Sequence, residues 1–155
     1  MKVKDIMKPD PFCCSPSDTV ESAARKMKEK DVGSLPVIAD SESRKLEGIV
    51  TDRDLCCSVV AEGRNPETTF VVEAMTRNPA TCGPDDDVDA CAKIMQDRQV
   101  RRVPVVSYDG SVIGVVAQAD MALRAEPKEV AKTVAEISKP SAVKAPAQAA
   151  TRLAS

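Results

Sequence analysis

The sequence predicts an α+β fold: two β-α-β-β-α repeats packed sheet to sheet about a pseudo-two-fold axis. Three observations carry that prediction: an internal duplication, the same order of local signals in each copy, and an aliphatic composition. At an offset of 68 residues Met7 matches Met75, Pro11 matches Pro79, Cys14 matches Cys82 and Pro16 matches Pro84. Val20, Ala24, Met27, Val32 and Pro36 likewise match Val88, Ala92, Met95, Val100 and Pro104. One loop is then two residues shorter, and beyond it Gly48 matches Gly114 and Asp54 matches Asp120 at an offset of 66. A fixed period of this kind marks one supersecondary unit used twice.

Each copy opens with a short strand, Phe12 to Cys14 and Ala80 to Cys82, closed by a Pro/Asp/Ser turn cluster. Asp18-x-x-Glu21 and Asp86-x-x-Asp89 follow with the spacing of helix N-caps. Val20, Ala23, Ala24 and Met27 share one helical face, as do Val88, Cys91, Ala92 and Met95. Next come two paired strands per copy: Leu35 to Ile38 with Glu47 to Val50, and Val103 to Val106 with Val112 to Val116. Asp109-Gly110 supplies the second turn. A closing helix runs from about Asp52 to Glu62 in one copy and from about Gln118 to Arg124 in the other. A lone unit of about sixty residues buries too little surface to be comfortable, so the two copies are expected to share one core. The expected division is 1–66 for the first repeat and 67–126 for the second. Residues 127–155 are then a short amphipathic helix, from Val130 to Ile137, and a disordered tail rich in Ala, Pro and Lys.

Composition narrows the functions. The 155 residues carry 22 Lys and Arg against 24 Asp and Glu, a net charge of −2, without the basic surface that nucleic acid calls for. With 43% hydrophobic residues but only one Tyr and two Phe, the interior is aliphatic. The absence of His removes Ser/His and Cys/His catalysis and most ordinary transition-metal sites, and the expectation is a non-enzyme with no metal. No run approaches the ~18 apolar residues of a membrane span. The first residues lead directly into a patterned segment with no apolar leader, so a cytoplasmic protein is expected. Its six cysteines, Cys13, Cys14, Cys56, Cys57, Cys82 and Cys91, contain no C-x-x-C and read as buried small hydrophobes. A redox role calls instead for a low-pKa, accessible thiol.

The segments most able to carry chemistry are Gly48-Ile-Val-Thr51-Asp-Arg53-Asp54 and Gly114-Val-Val-Ala117-Gln-Ala-Asp120, each joining a strand to a helix. A Thr at such a turn can donate to a phosphate or ribose oxygen, and a carboxylate three residues on can accept from both ribose hydroxyls. Thr51-x-x-Asp54 is equally a capping box that needs no ligand. Ala117 cannot cap with its side chain while Asp120 remains, so capping alone does not account for the acid in both copies.

The doubled unit, the Leu-Pro-Val-Ile and Val-Pro-Val-Val strands and the Gly-h-h-Thr-x-x-Asp turn (h apolar) resemble a tandem CBS-domain pair, or Bateman module, across residues 1–126. Asp-Ile-Met near the start, Thr-Asp-Arg-Asp at 51–54 and Val-Arg-Arg-Val-Pro-Val at 100–105 resemble the small stand-alone bacterial pairs of the hypoxic-response type. The resemblance implies regulatory binding of adenine-containing ligands (AMP, ADP, ATP or S-adenosylmethionine) in inter-repeat clefts, no other cofactor, and disc-shaped homodimers. It assigns ribose to Asp54 and Asp120, a ribose or phosphate contact to Thr51 in the Thr51–Asp54 turn that also holds Arg53, and phosphate to Arg102 with Arg101 beside it. Gly33 and Ser34 stand in the first copy where Arg101 and Arg102 stand in the second. Cross-repeat pairing therefore sets Thr51 and Asp54 against Arg102, and Ala117 and Asp120 against Ser34. One cleft is then competent for a phosphorylated nucleoside, because a phosphate–guanidinium attraction is of order several kcal/mol at an effective dielectric constant near 20. The alternative from another class is a structural dimerisation or partner-docking module with no small ligand. An effector protein that reads the ligand is expected under the first reading and is not named by the sequence.

Overall fold

The computed structural model describes residues 1–140; the predicted disordered tail lies for the most part outside them. The chain runs α1 (Val3–Ile6), β1 (Lys8–Pro9), α2 (Val20–Lys30), β2 (Ser34–Ile38), β3 (Leu46–Thr51) and α3 (Asp52–Leu55), which a π turn extends over Cys56–Val60. A 3-10 turn (Val71–Glu73) leads to β4 (Thr76–Arg77), α4 (Val88–Arg98), β5 (Arg102–Val106), β6 (Val112–Ala117), α5 (Gln118–Arg124) and α6 (Pro127–Ser138).

The duplicated hairpins form as the sequence predicts. Ser34 faces Thr51 and Leu35 faces Val50; in the second copy Arg102 faces Ala117 and Val103 faces Val116. Both hairpins carry a register shift at the same place, after Val37 and after Val105, so the duplication extends to their irregularities. The predicted opening strands are corrected. Phe12–Cys14 and Ala80–Cys82 narrow to single parallel bridges, Cys14 with Val37 and Cys82 with Val105. Prolines at 11 and 16, and at 79 and 84, leave few backbone donors with which to extend a ladder. The third strand of each sheet comes from elsewhere and is exchanged. β1, which leads the first repeat, pairs with β6 of the second, while β4, which leads the second, pairs with β3 of the first. Gly48 and Gly114 permit this close approach. A Cβ on Gly48 would stand 2.7 Å from the Thr76 carbonyl oxygen, and one on Gly114 3.1 Å from that of Lys8.

The shared core is corrected as well. Burial divides into two helix-backed clusters, each completed by the other repeat's leading segment. Val3 and Ile6 enter the cluster of Val88, Met95, Val103 and Val116, and Val71 and Ala74 enter that of Val20, Met27, Leu35 and Val50. Pro36, Ile38 and Ile49 are buried outside the helix-backed cluster, so the other face of that hairpin is covered too. At one end the hairpin loops of the two repeats meet: Val112 N–H donates to the Arg44 carbonyl and Leu46 N–H to that of Gly110.

The helix caps move by one residue from their predicted positions. Thr19 caps α2 by accepting from Ser22 N–H, and Asp87 precedes α4, while Asp18 and Asp86 accept from Ser15 and Gly83 N–H within the preceding turns. Val20, Ala23 and Met27 are buried but Ala24 is exposed, whereas Ala92 is fully buried. The difference lies in α6, whose Thr133 and Glu129 accept from Gln96 on α4 and whose Ile137 joins the second core.

Candidate functional site

The first corner begins where β3 ends. Thr51 Oγ1 accepts from Asp54 N–H at 3.1 Å and Asp54 Oδ2 accepts from Thr51 N–H at 2.9 Å, a reciprocal capping box. The box uses one carboxylate oxygen; Oδ1 has no protein partner among the described residues. Asp54 is half-buried, and among the described residues it makes no ion pair. Arg53 lies on the exposed side of the turn, its N–H donating to Asp52 Oδ1.

Arg102 comes to this corner from the second repeat. Its position on β5 faces Ala117 in its own hairpin, yet its guanidinium extends to Gly33, immediately before β2. A Cβ built on Gly33 would collide with that guanidinium and stand 3.1 Å from Asp52 Oδ2, so Arg102 and Asp52 border the same point. The Gly33 carbonyl in turn accepts from Asp52 N–H, which ties it to the turn holding Thr51 and Asp54. A half-buried cation is thereby set beside a corner that offers a hydroxyl and a free carboxylate oxygen. Arg101 is exposed, and its carbonyl accepts from Gln118 N–H.

The second corner differs. Asp120 is 6% exposed and its Oδ2 accepts from Ala117 N–H at 2.8 Å. Half of the capping box therefore survives without the Thr. This corrects the argument that capping fails to account for the second acid. Asp120 Oδ1 lies 3.7 Å from Lys8 Nζ, brought there by the exchanged strand β1. The sequence reading placed no cation at this corner and missed Lys8. The repeat offset held the signal, because Lys8 matches Thr76 and the two corners differ at that position as well as at Arg102 and Ser34.

The cysteines divide. Cys14, Cys82 and Cys91 are buried as predicted, and burial pushes the Cys14 thiol up to about 12. Cys56 and Cys57 are exposed on the π turn, against the expectation of burial, because they lie on the side of α3 away from Leu55 and Val59. Among the described residues no three His, Cys, Asp or Glu side chains gather as a metal site. No described helix is long and apolar enough to cross a membrane.

The duplicated unit has a counterpart among known proteins. The CBS domain model matches the chain twice, over residues 3–60 and 71–125. The chain belongs to the CBS-domain family. As a tandem CBS pair it is a regulatory type of module. It is 31% identical over 140 residues to hypoxic response protein 1 of Mycobacterium tuberculosis, covering 90% of this chain and 96% of that protein. Among solved structures, the CBS pair of protein MJ0100 in complex with 5-methylthioadenosine and S-adenosyl-L-methionine aligns with a TM-score of 0.71 at 29% identity, over 79% of this chain and 94% of that one. CBSX2 in complex with AMP aligns with a TM-score of 0.66 at 26% identity, over 89% of this chain and 98% of the other.

Proposed function

We propose that this CBS pair is a cytoplasmic, non-catalytic sensor of an adenine-containing ligand, taken up between the repeats at the Thr51–Asp54 corner. The observation that carries the reading is the reach of Arg102 from the second repeat to Gly33 and Asp52 of the first. Asp54 Oδ1 accepts from the ribose hydroxyls, the Thr51 hydroxyl donates to a ribose or phosphate oxygen, and Arg102 holds the phosphate, with Arg53 and Arg101 adding charge nearby. Asp120 offers the equivalent carboxylate at the second corner, with Lys8 as its cation. The ligand-bound solved relatives support this choice of ligand class. Because the ligand touches both repeats, it favours one relative arrangement of residues 1–66 and 67–126 over others, and that shift is the signal. The signal is read in a homodimer of pairs by an effector protein.

Isothermal titration of the full chain against AMP, ADP, ATP and S-adenosylmethionine tests the proposal. Binding of at least one ligand, lost in Asp54→Ala, is expected; no heat from any of them at millimolar concentration rejects it. A second reading, a docking module with no small ligand, is favoured by the capping box, since Thr51 and Asp54 already satisfy one another. Under it, Asp54→Ala lowers the melting temperature and changes no ligand binding.

A further inference from the structure

Two thiols of the second repeat meet inside the protein. Cys82, on its single bridge to β5, and Cys91, on α4, are 3% and 0% exposed, and their sulfurs lie 3.7 Å apart. The duplication supplies an internal comparison. Cys14 is the repeat equivalent of Cys82 and is equally buried, but Ala23 stands where the second copy has Cys91. Cys82 also borders a recess at the surface, of about 490 Å³, lined by Gly83, Pro84, Val106, Ser107 and Tyr108.

We infer that Cys82 and Cys91 form a redox-active dithiol, which a small hydroperoxide entering this recess converts to an intramolecular disulfide. The Cys82 S–H donates to the Cys91 sulfur, which holds the Cys82 thiol above its ordinary value and the Cys91 thiol below it, whereas Cys14 has no sulfur partner and burial holds it well above. The Cys91 proton leaves, and the Cys82 proton passes along the hydrogen bond to the Cys91 sulfur as the Cys82 sulfur attacks. The Cys82 sulfur takes the terminal peroxide oxygen. The O–O bond breaks, Cys82 becomes a sulfenic acid, and the departing alkoxide takes up the released proton as an alcohol. The Cys91 sulfur then displaces the hydroxyl: S–S forms, S–O breaks, and the hydroxide leaves with the Cys91 proton as water. Two electrons pass from the sulfurs to the peroxide. The disulfide fastens the Gly83–Asp87 turn to α4. That turn also receives the N-terminus, with Val3 N–H donating to the Asp86 carbonyl and Lys4 N–H to that of Pro84.

The test uses the full chain carrying Cys56→Ser and Cys57→Ser, which removes the exposed thiols, treated with hydrogen peroxide and then alkylated and mapped by mass spectrometry. The expected result is a Cys82–Cys91 linked peptide, reversed by dithiothreitol, while Cys14 stays a free thiol. In Cys91→Ala, which copies the buried alanine of the first repeat, the linked peptide is lost and Cys82 becomes labelled by dimedone, the trap for sulfenic acid. The inference is overturned if Cys82 and Cys91 both remain alkylatable at peroxide levels that oxidise Cys56 and Cys57 in the unmodified chain. Oxidation of either one to a sulfinic acid without the link overturns it equally.

Discussion

At the scale of single residues, the first corner depends on what is missing at position 33. A side chain there would occupy the space that the Arg102 guanidinium fills. Because the obstructing group is the far end of a flexible side chain, Gly33→Ala is expected to displace Arg102 while changing stability by only about 0.5 kcal/mol or less. The ligand phosphate loses its cation in that variant and in Arg102→Ala alike. Each is predicted to weaken AMP binding by about tenfold, which corresponds to about 1.4 kcal/mol, and to leave adenosine binding unchanged. Titration with the phosphorylated ligand and the bare nucleoside side by side checks this. Equal weakening of both would place Arg102 outside the phosphate subsite. Asp54 and Thr51 were legible in the sequence because their spacing is a known motif. Arg102 was legible only through the duplication, since its partner is set by the pseudo-symmetry and not by neighbouring sequence. Lys8 escaped because the repeat offset shows only that it differs from Thr76, while nothing in a two-residue strand shows that it crosses to the other repeat's corner.

Among the elements, the exchanged strands explain why the strand-to-helix motif opens with glycine. β3 and β6 each receive a two-residue strand of the other repeat over Gly48 and Gly114. In Gly48→Ala the new Cβ meets the Thr76 carbonyl oxygen at 2.7 Å and the Met75 sulfur at 2.8 Å, and the first obstacle is backbone, which moves reluctantly. The expected cost is about 1–3 kcal/mol, measurable by chemical denaturation; a neutral result would show that β4 is free to shift. Much at this scale was readable in advance. The hairpins and the faces of α2 and α4 follow from alternation and from helical spacing, because each element buries one side. The exchange was not readable. Lys8-Pro9 and Thr76-Arg77 are exposed and too short to alternate, so nothing in their composition separates them from loop. The single shared core was predicted from the small size of each copy, and the size argument was sound. The deficit is met by trading short apolar segments, Val3 to Ile6 against Val71 to Ala74, and a trade of this kind leaves no periodicity to read. Helical spacing sets Ala24 on the same face as Val20, Ala23 and Met27, but it is exposed because α6 covers only the second copy.

For the molecule as a whole, the exchange makes the two repeats interdependent, and the N-terminal contact is partly electrostatic. Lys2 and Lys4 pair with Asp87 and Asp85, and hydrogen bonds from the two ammonium groups hold both carboxyls below their ordinary value of 3.8. Carboxyls with lowered folded pKa values stabilise the fold above their unfolded value and lose that contribution as pH falls through the folded value. The melting deficit of Asp85→Asn/Asp87→Asn relative to the parent is therefore expected at pH 7 and should close as the pH falls through the lowered folded values of the two carboxyls; a deficit that persists below them would point to a packing cause. It should be small, because all four groups are exposed. The apolar part of the exchange is larger. Val3 and Ile6 are 0% and 1% exposed in the second core, and Val71 is 0% exposed in the first. Each such aliphatic side chain contributes roughly 1.5–3 kcal/mol by burial, a large share for a unit of about sixty residues. Cutting between residues 66 and 67 strands both segments on the wrong fragment: 1–66 keeps Val3 and Ile6 without their core and lacks Val71, Ala74 and β4. A fragment of residues 10–77 instead carries the first core with its whole sheet, β2, β3 and β4. Fragment 10–77 is thus predicted to show cooperative thermal unfolding by circular dichroism, and 1–66 to show none, although the latter follows the repeat boundary read from the sequence. If 1–66 melts as sharply as 10–77, the leading segments are ornament on self-sufficient repeats, and a ligand at the corner has no exchanged core through which to couple them.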